Sequence, residues 1–326
     1  MKLTFDQIRS ITRGAVRISE HNQRICFSRF TEEQERLYLT LSPDFWHPRA
    51  MASAGIRLHF ITDSPSLSLT IETWRASAVS MMTVDVTVNG TRIGTIGSDQ
   101  TAEGIFSGNF FLGEGVKEVQ IYLPWSTRTE LLSMELADES SLQPLQMQHK
   151  MLIFGDSITQ GAIAEHPSVT YASRLSDLLE ADAINKGVAG DVLHAELAKI
   201  SDEGKFDYIT VAYGTNDWKK TTRAAFEQNC SEFYRTLSER YPNAKIFAIT
   251  PIWRANPERI TDVGEFFHVR DFIRQVTADL PNVTVIDGYD FVPHDPAYFS
   301  DLRVHPNDKG FAHYVKNLYA EIKKYV

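Results

Sequence analysis

Met151-Leu152-Ile153-Phe154-Gly155-Asp156-Ser157-Ile158-Thr159-Gln160-Gly161 is the stretch on which the fold turns. Four apolar residues read as a short buried strand, and the glycine and aspartate that follow end the run in a loop. Similar runs recur from Tyr208 to Tyr213, Ile246 to Ile249 and Val283 to Ile286. Between and after them, apolar residues fall at helical spacing: Phe226, Cys230, Phe233 and Leu237, then Val269, Ile273, Val276 and Leu280, and last Phe311, Val315, Leu318 and Ile322. Strand and helix in alternation imply a parallel sheet covered on both faces. Such sheets bind ligands beyond the carboxyl ends of their strands, which is where Ser157 stands.

Upstream the period changes. From residue 37 to about 136 apolar residues alternate with polar ones: Leu37, Leu39, Leu41; Ile56, Leu58, Phe60; Leu67, Leu69, Ile71; Val84, Val86, Val88; Val119, Ile121, Leu123. This pattern predicts half-buried strands, and Asn89-Gly90 between two of them predicts a tight hairpin turn. The N-terminal half is therefore expected to be an all-β antiparallel sandwich. The segment from Ala137 to Lys150 is polar, holds Pro144 and has no period, so it separates the two parts. With 326 residues, more than one core usually holds, the chain is expected to form a β-sandwich over residues 1–140 and an α/β domain over 148–326.

Composition excludes several classes. A formal charge of -9 argues against a surface that tracks nucleic-acid phosphates. No run approaches the ~20 apolar residues of a spanning helix, and the opening MKLTFDQIRSITRG lacks the apolar centre of a secretion signal. A cytoplasmic protein without membrane contact is expected. Cys26 and Cys230, one in each half, form neither a disulfide framework nor a metal-ligand spacing and are expected to be reduced. Asp156 and Asp217 lack the ordered run of oxygens that a hard cation needs, so no metal and no cofactor are expected.

Four loop motifs fall where the sheet would place a site: Gly155-Asp156-Ser157, the turn Asn185-Lys186-Gly187-Val188-Ala189-Gly190-Asp191, Gly214-Thr215-Asn216-Asp217, and Asp301-Leu302-Arg303-Val304-His305-Pro306-Asn307. A serine hydroxyl becomes a competent nucleophile when an imidazole accepts its proton, and His305 is the candidate base for Ser157. The imidazole needs an acceptor to fix its tautomer, and Asp301 is the nearest acid upstream, with Asp295 as the fallback. Backbone N–H groups of Ser157 and Gly190 and the side-chain amide of Asn216 are candidates for the oxyanion hole. Neither a GxSxG elbow, a GxGxxG turn nor a Walker sequence is present.

In order, GDSITQG, NxGxxG, GTND and HPND resemble the blocks of the GDSL/SGNH hydrolase superfamily, over roughly residues 150–326. The resemblance implies a three-layer α/β/α flavodoxin-like domain and metal-free hydrolysis of acyl esters. It also implies Ser157 as nucleophile, Gly190 and Asn216 as oxyanion donors and His305 as base. The sandwich before it is similar in arrangement to members with a jelly-roll-like N-terminal domain, among them carbohydrate deacetylases and an acyltransferase of polyketide biosynthesis. The family's acid stands three residues before the histidine and Asp301 stands four before it, so a Ser-His dyad stays open beside the triad.

Bland roles compete at each position. Ser157 and Asp308 suit helix capping, Gly190 a turn, Asn216 a loop bridge. Trp218 and Trp253 would lie at the active-site end, where an aromatic face can line a sugar cleft or merely pack. Three functions follow: an esterase removing a small acyl group, acetyl above all, from a carbohydrate; an acyltransferase using the same acyl-enzyme; and an inactive carbohydrate-binding protein. A small acyl ester, an acylated sugar foremost, is the expected partner, and a homo-oligomer stays open.

Overall fold

The computed structural model describes all 326 residues. Two antiparallel sheets form the N-terminal sandwich. One runs in the order Thr12–Arg13, Arg57–Thr62, Lys117–Tyr122, Met82–Val88, Thr91–Ser98, with Gln143–Pro144 also pairing with Arg57–Thr62. The other runs Arg17–His21, Arg24–Ser28, Thr127–Leu136, Ser66–Arg75, Gly104–Phe111. Leu67, Leu69 and Ile71 from one sheet meet Leu58, Phe60, Val84, Val86, Val119 and Ile121 from the other in a shared core. The alternation in sequence thus marks the inner faces. Asn89 and Gly90 both take positive φ, 48° and 77°, as a hairpin turn of the primed type requires.

The C-terminal part is a five-stranded parallel sheet in the order Ala181–Gly187, His149–Gly155, Tyr208–Ala212, Lys245–Ile249, Val283–Ile286. Helices Ala195–Lys199, Arg223–Arg240 and Phe266–Thr277 cover one face. Tyr171–Leu178 and Asp308–Ile322 cover the other, giving the three-layer flavodoxin-like arrangement. The helical spacing read at Phe226, Cys230, Phe233 and Leu237 corresponds to four fully buried side chains.

Two local expectations are corrected. Leu37, Leu39 and Leu41 do not form a strand; they lie in the helix Glu32–Leu41. Thr31 Oγ1 accepts from the Gln34 N–H at 3.2 Å and Gln34 Oε1 accepts from the Thr31 N–H at 3.1 Å, a capping box that outweighs the alternation. The helix buries Gln34 and Tyr38, while Leu39 and Leu41 face solvent. The turn expected from Asn185 begins only after Gly187, because Ala181–Gly187 is an edge strand of the parallel sheet. Its polar Asn185 and Lys186 are buried with partners, so a hydrophobic run does not announce it.

The stretch from Arg29 to Ala54 ties the two parts together. Phe30, Tyr38 and Ala50 belong to the same core as one face of the parallel sheet. Arg29, 1% exposed, donates from Nε to Ala52 O (2.6 Å), from Nη1 to Asn185 O (2.5 Å) and Gly187 O (2.9 Å), and from Nη2 to Arg49 O (3.1 Å) and Ala50 O (3.3 Å). All the donors of its guanidinium are thereby used, and every acceptor is a backbone carbonyl. Burial pulls its pKa down to about 9, which still leaves it charged at neutral pH. Beside it the Lys186 ammonium donates to Arg29 O (2.7 Å), Gln34 Oε1 (2.8 Å) and Asp202 Oδ1 (2.5 Å).

Replacing Arg29 leaves several buried carbonyls without donors, each worth ~1–3 kcal/mol. Arg29→Met is expected to lower unfolding stability by at least about 3 kcal/mol in urea titration. A loss below about 1 kcal/mol would show that the clamp is not what joins the domains.

Candidate active site

Ser157 opens the short helix Ser157–Gln160 directly after the strand His149–Gly155. The cap is Asp156, whose Oδ1 accepts from the Ile158 N–H at 2.9 Å, so the serine hydroxyl is free of that duty. Its Oγ lies 2.9 Å from His305 Nε2. On the other side of the ring, His305 Nδ1 lies 2.7 Å from Asp301 Oδ2. With Nδ1–H donated to the carboxylate, Nε2 carries the lone pair that can accept the serine proton.

The four-residue separation of Asp301 and His305 has a structural explanation. Leu302 takes φ +58°, a left-handed conformation that costs a leucine roughly 1–2 kcal/mol and turns the chain between the two side chains. Asp301 Oδ1 holds this turn together by accepting from the N–H groups of Arg303 (2.9 Å), Val304 (2.8 Å) and His305 (3.1 Å). Burial opposes the charge of Asp301. The hydrogen bonds from the His305 ring and from the Val304 and His305 N–H groups outweigh it and hold the carboxyl well below the usual range. Asp295, the fallback acid, instead caps the turn Pro296–Tyr298 by accepting from the Ala297 N–H at 2.9 Å. Asp308 does not cap the last helix: Asn307 does, accepting from the Gly310 N–H at 3.0 Å.

The expected oxyanion donors converge on the same place. Ser157, Gly190, Asn216 and His305 all line one cavity of about 300 Å³. Gly190 takes φ +83°, and its N–H makes no hydrogen bond within the protein. A Cβ there would also strike the Phe45 ring at 2.7 Å. Asn216 Nδ2 donates one of its two hydrogens to Asp191 O at 3.0 Å, which aims the amide and leaves the second for a ligand. Gly187 serves packing: a Cβ there would sit 2.4 Å from the Gln160 nitrogen.

Several supports were not visible as site residues in the sequence. Gln160, 1% exposed, donates from Nε2 to Trp125 O (2.9 Å) and accepts at Oε1 from the Ala189 N–H (2.6 Å), bracing the loop that carries Gly190. Asp191 Oδ2 accepts from Tyr38 Oη (2.8 Å) and Tyr213 Oη (3.3 Å). Gln160 stands within the serine motif, and that position was its only signal. Tyr38 lies 153 residues from its partner and gave none.

The structure corrects Trp218 as a substrate contact and leaves Trp253 out of the cavity lining. Trp218 is 2% exposed, donates Nε1–H to Gly264 O at 2.9 Å, and packs edge-on against Phe266. Trp253 stacks on His294, with ring centroids 5.6 Å apart, and lies outside the cavity that Ser157 lines. The aromatic walls come instead from Phe45 and Trp125 of the N-terminal domain.

Residues 153–313 match the model of the GDSL-like lipase/acylhydrolase family. That match lies within the α/β domain. The chain is an esterase-class enzyme of the SGNH type, and its two-domain layout recurs among solved structures. A salicylyl-acyltransferase from a tetracycline biosynthetic pathway superposes with a TM-score of 0.80 at 21% identity, covering 96% of this chain and 94% of that one. A protein from Bacteroides ovatus described as a GDSL-like lipase gives 0.76 at 19% identity, covering 99% and 97%. A family two carbohydrate esterase from Cellvibrio japonicus gives 0.66 at 17% identity, covering 99% and 97%. Among the curated proteins none matches the chain.

Burial holds two carboxyls near the site above their ordinary range, Asp156 at about 6 and Asp217 at about 7. A folded-state pKa raised above its unfolded value near ~4 means that the folded form binds the extra proton, so stability falls as pH rises through that window. Asp217→Asn keeps an acceptor for the Leu193 N–H, now at 2.9 Å, and removes the charge. Its thermal midpoint, relative to the unmodified protein, is expected to be higher at pH 8 than at pH 4.5. An equal difference at both pH values would refute the shift.

Proposed function

We propose that the chain is a serine ester hydrolase that removes a small acyl group, acetyl foremost, from a hydroxyl of a carbohydrate. The carrying observation is the line from Ser157 Oγ through the His305 ring to Asp301, 2.9 and 2.7 Å long, opening on a cavity shared with Gly190 and Asn216. In this reading Ser157 Oγ attacks the ester carbonyl while His305 Nε2 takes the hydroxyl proton. The N–H groups of Ser157 and Gly190 and the amide of Asn216 receive the oxyanion. The C–O bond to the alcohol then breaks, His305 returns the proton to the leaving oxygen, and an acyl-serine remains. Water, deprotonated by His305, repeats the sequence and releases the acid and free serine.

The carbohydrate part of the reading is supported by the shared layout with family two carbohydrate esterases, and the small acyl group by the modest cavity. A second reading has an alcohol in place of the water. It is favoured by the likeness to the salicylyl-acyltransferase over nearly the whole of both chains. The same groups serve either acceptor, so product analysis with a candidate alcohol present separates them: a new ester means transfer, acid alone means hydrolysis.

Purified protein is expected to hydrolyse p-nitrophenyl acetate and to be labelled by a fluorophosphonate, and Ser157→Ala to lose both, with kcat falling by about 10⁴-fold or more. Equal activity in the two proteins would remove Ser157 from the mechanism. Asn216→Ala is expected to lower kcat by about a hundred- to a thousandfold with little change in KM.

A further inference from the structure

The walls of the cavity carry a charge pattern that the ester chemistry does not require. Arg49, Lys219 and Lys220 all line it, and no Asp or Glu does. The contrast is with a chain of formal charge -9, in which 42 acidic residues outnumber 33 basic ones. Lys220 Nζ is fixed by donation to Gly190 O at 2.8 Å, beside the expected oxyanion donor. Arg49 spreads its guanidinium over the Phe45 ring, 3.8 Å from the centroid. The Lys219 ammonium makes no hydrogen bond or ion pair within the protein, and the residue is exposed at the cavity wall.

Like charges gathered without a counter-charge raise the energy of the free protein and are relieved by an anion. Burial lowers the pKa of both Lys220 and Arg49. Lys219 and Arg49 lower that of Lys220 further, and Arg75 does the same to Arg49. Arg75 stays just outside, donating to Ser77 O (3.0 Å) and Ala78 O (2.6 Å) and so holding the loop that forms another wall. Asp156 and Asp191 act in the opposite sense and raise the pKa of Lys220, Asp156 more strongly than Lys219 lowers it, but both acids are buried and do not line the cavity.

From this juxtaposition we propose that the preferred substrate is an anionic ester, one that carries a carboxylate, sulfate or phosphate group within reach of Arg49, Lys219 and Lys220 when its carbonyl faces Ser157. The proposal rests on the ester-hydrolase reading and narrows its substrate class. Arg49 comes from the N-terminal domain, so selection of the substrate is shared between the domains. A uronic-acid-type or acid-bearing ester satisfies the pattern; a neutral sugar ester leaves the Lys219 ammonium without a partner and the charges of Arg49 and Lys220 facing no anion in the cavity.

The test uses two matched pairs: mono-4-nitrophenyl succinate against its methyl ester, with the charge on the acyl side, and 4-acetoxybenzoate against its methyl ester, with the charge on the alcohol side. At low salt, kcat/KM is expected to favour the anionic member of at least one pair by about tenfold. That preference is expected to shrink towards one as the Debye length falls from ~10 Å near 0.1 M salt to ~3 Å near 1 M. Lys219→Gln is expected to reduce the ratio of anionic to neutral kcat/KM severalfold and Lys219→Arg to restore it. A ratio near one in both pairs, or one that Lys219→Gln does not move, overturns the proposal while leaving ester hydrolysis intact. Titration calorimetry of Ser157→Ala with the same four compounds gives a readout that needs no turnover. Tighter binding of the anions there supports the proposal even if no ester is cleaved, and equal binding of acid and methyl ester with no cleavage overturns both readings.

Discussion

The buried guanidinium of Arg29 is the contact on which the remaining geometry depends. It gathers carbonyls from the N-terminal segment 49–52 and from the end of the parallel edge strand at Asn185 and Gly187. That strand end leads directly to Val188, Ala189 and Gly190, so the same contact that joins the domains also sets where the candidate oxyanion loop begins. A charge with no carboxylate partner is costly to bury, and here saturation with carbonyls makes it tolerable. The adjoining Lys186 repeats the device with three acceptors, one of them Asp202.

Around that anchor, each chemical group is held by a different local rule. The serine is released from capping by Asp156, and the imidazole is oriented by a carboxylate that its own turn has already ordered. The Asn216 amide is aimed by a carbonyl of Asp191, whose carboxylate is held by Tyr38 from the other domain. Preorganisation of this kind is what lets donors act on a developing charge without first rearranging.

Much of this arrangement was legible in the sequence because it is local. Short apolar runs before Gly155 and Gly214 announce strands, and the residues just after them fall at the sheet's carboxyl edge, where Ser157 and Asn216 stand. What was illegible is long-range or polar. The strand Ala181–Gly187 hides because its buried Asn185 and Lys186 are satisfied by residues such as Thr159 and Gln34, far from them in sequence. The helix Glu32–Leu41 hides behind three alternating leucines, two of which turn out to face solvent. Trp218 follows Asn216 by two residues, and the roughly half turn of helix between them carries its indole away from the cavity and into the core.

The left-handed leucine at position 302 has a mechanical corollary. Because it folds carboxylate and imidazole into a single six-membered stretch of chain closed by the Ser300 N–H to His305 O bond of 2.8 Å, the two travel as one rigid cassette. Breathing of the C-terminal edge therefore changes the alignment of that cassette with the hydroxyl while the acid and its ring stay paired. Such motion shifts the register of hydroxyl and imidazole reversibly, with the Asp301–His305 pair intact.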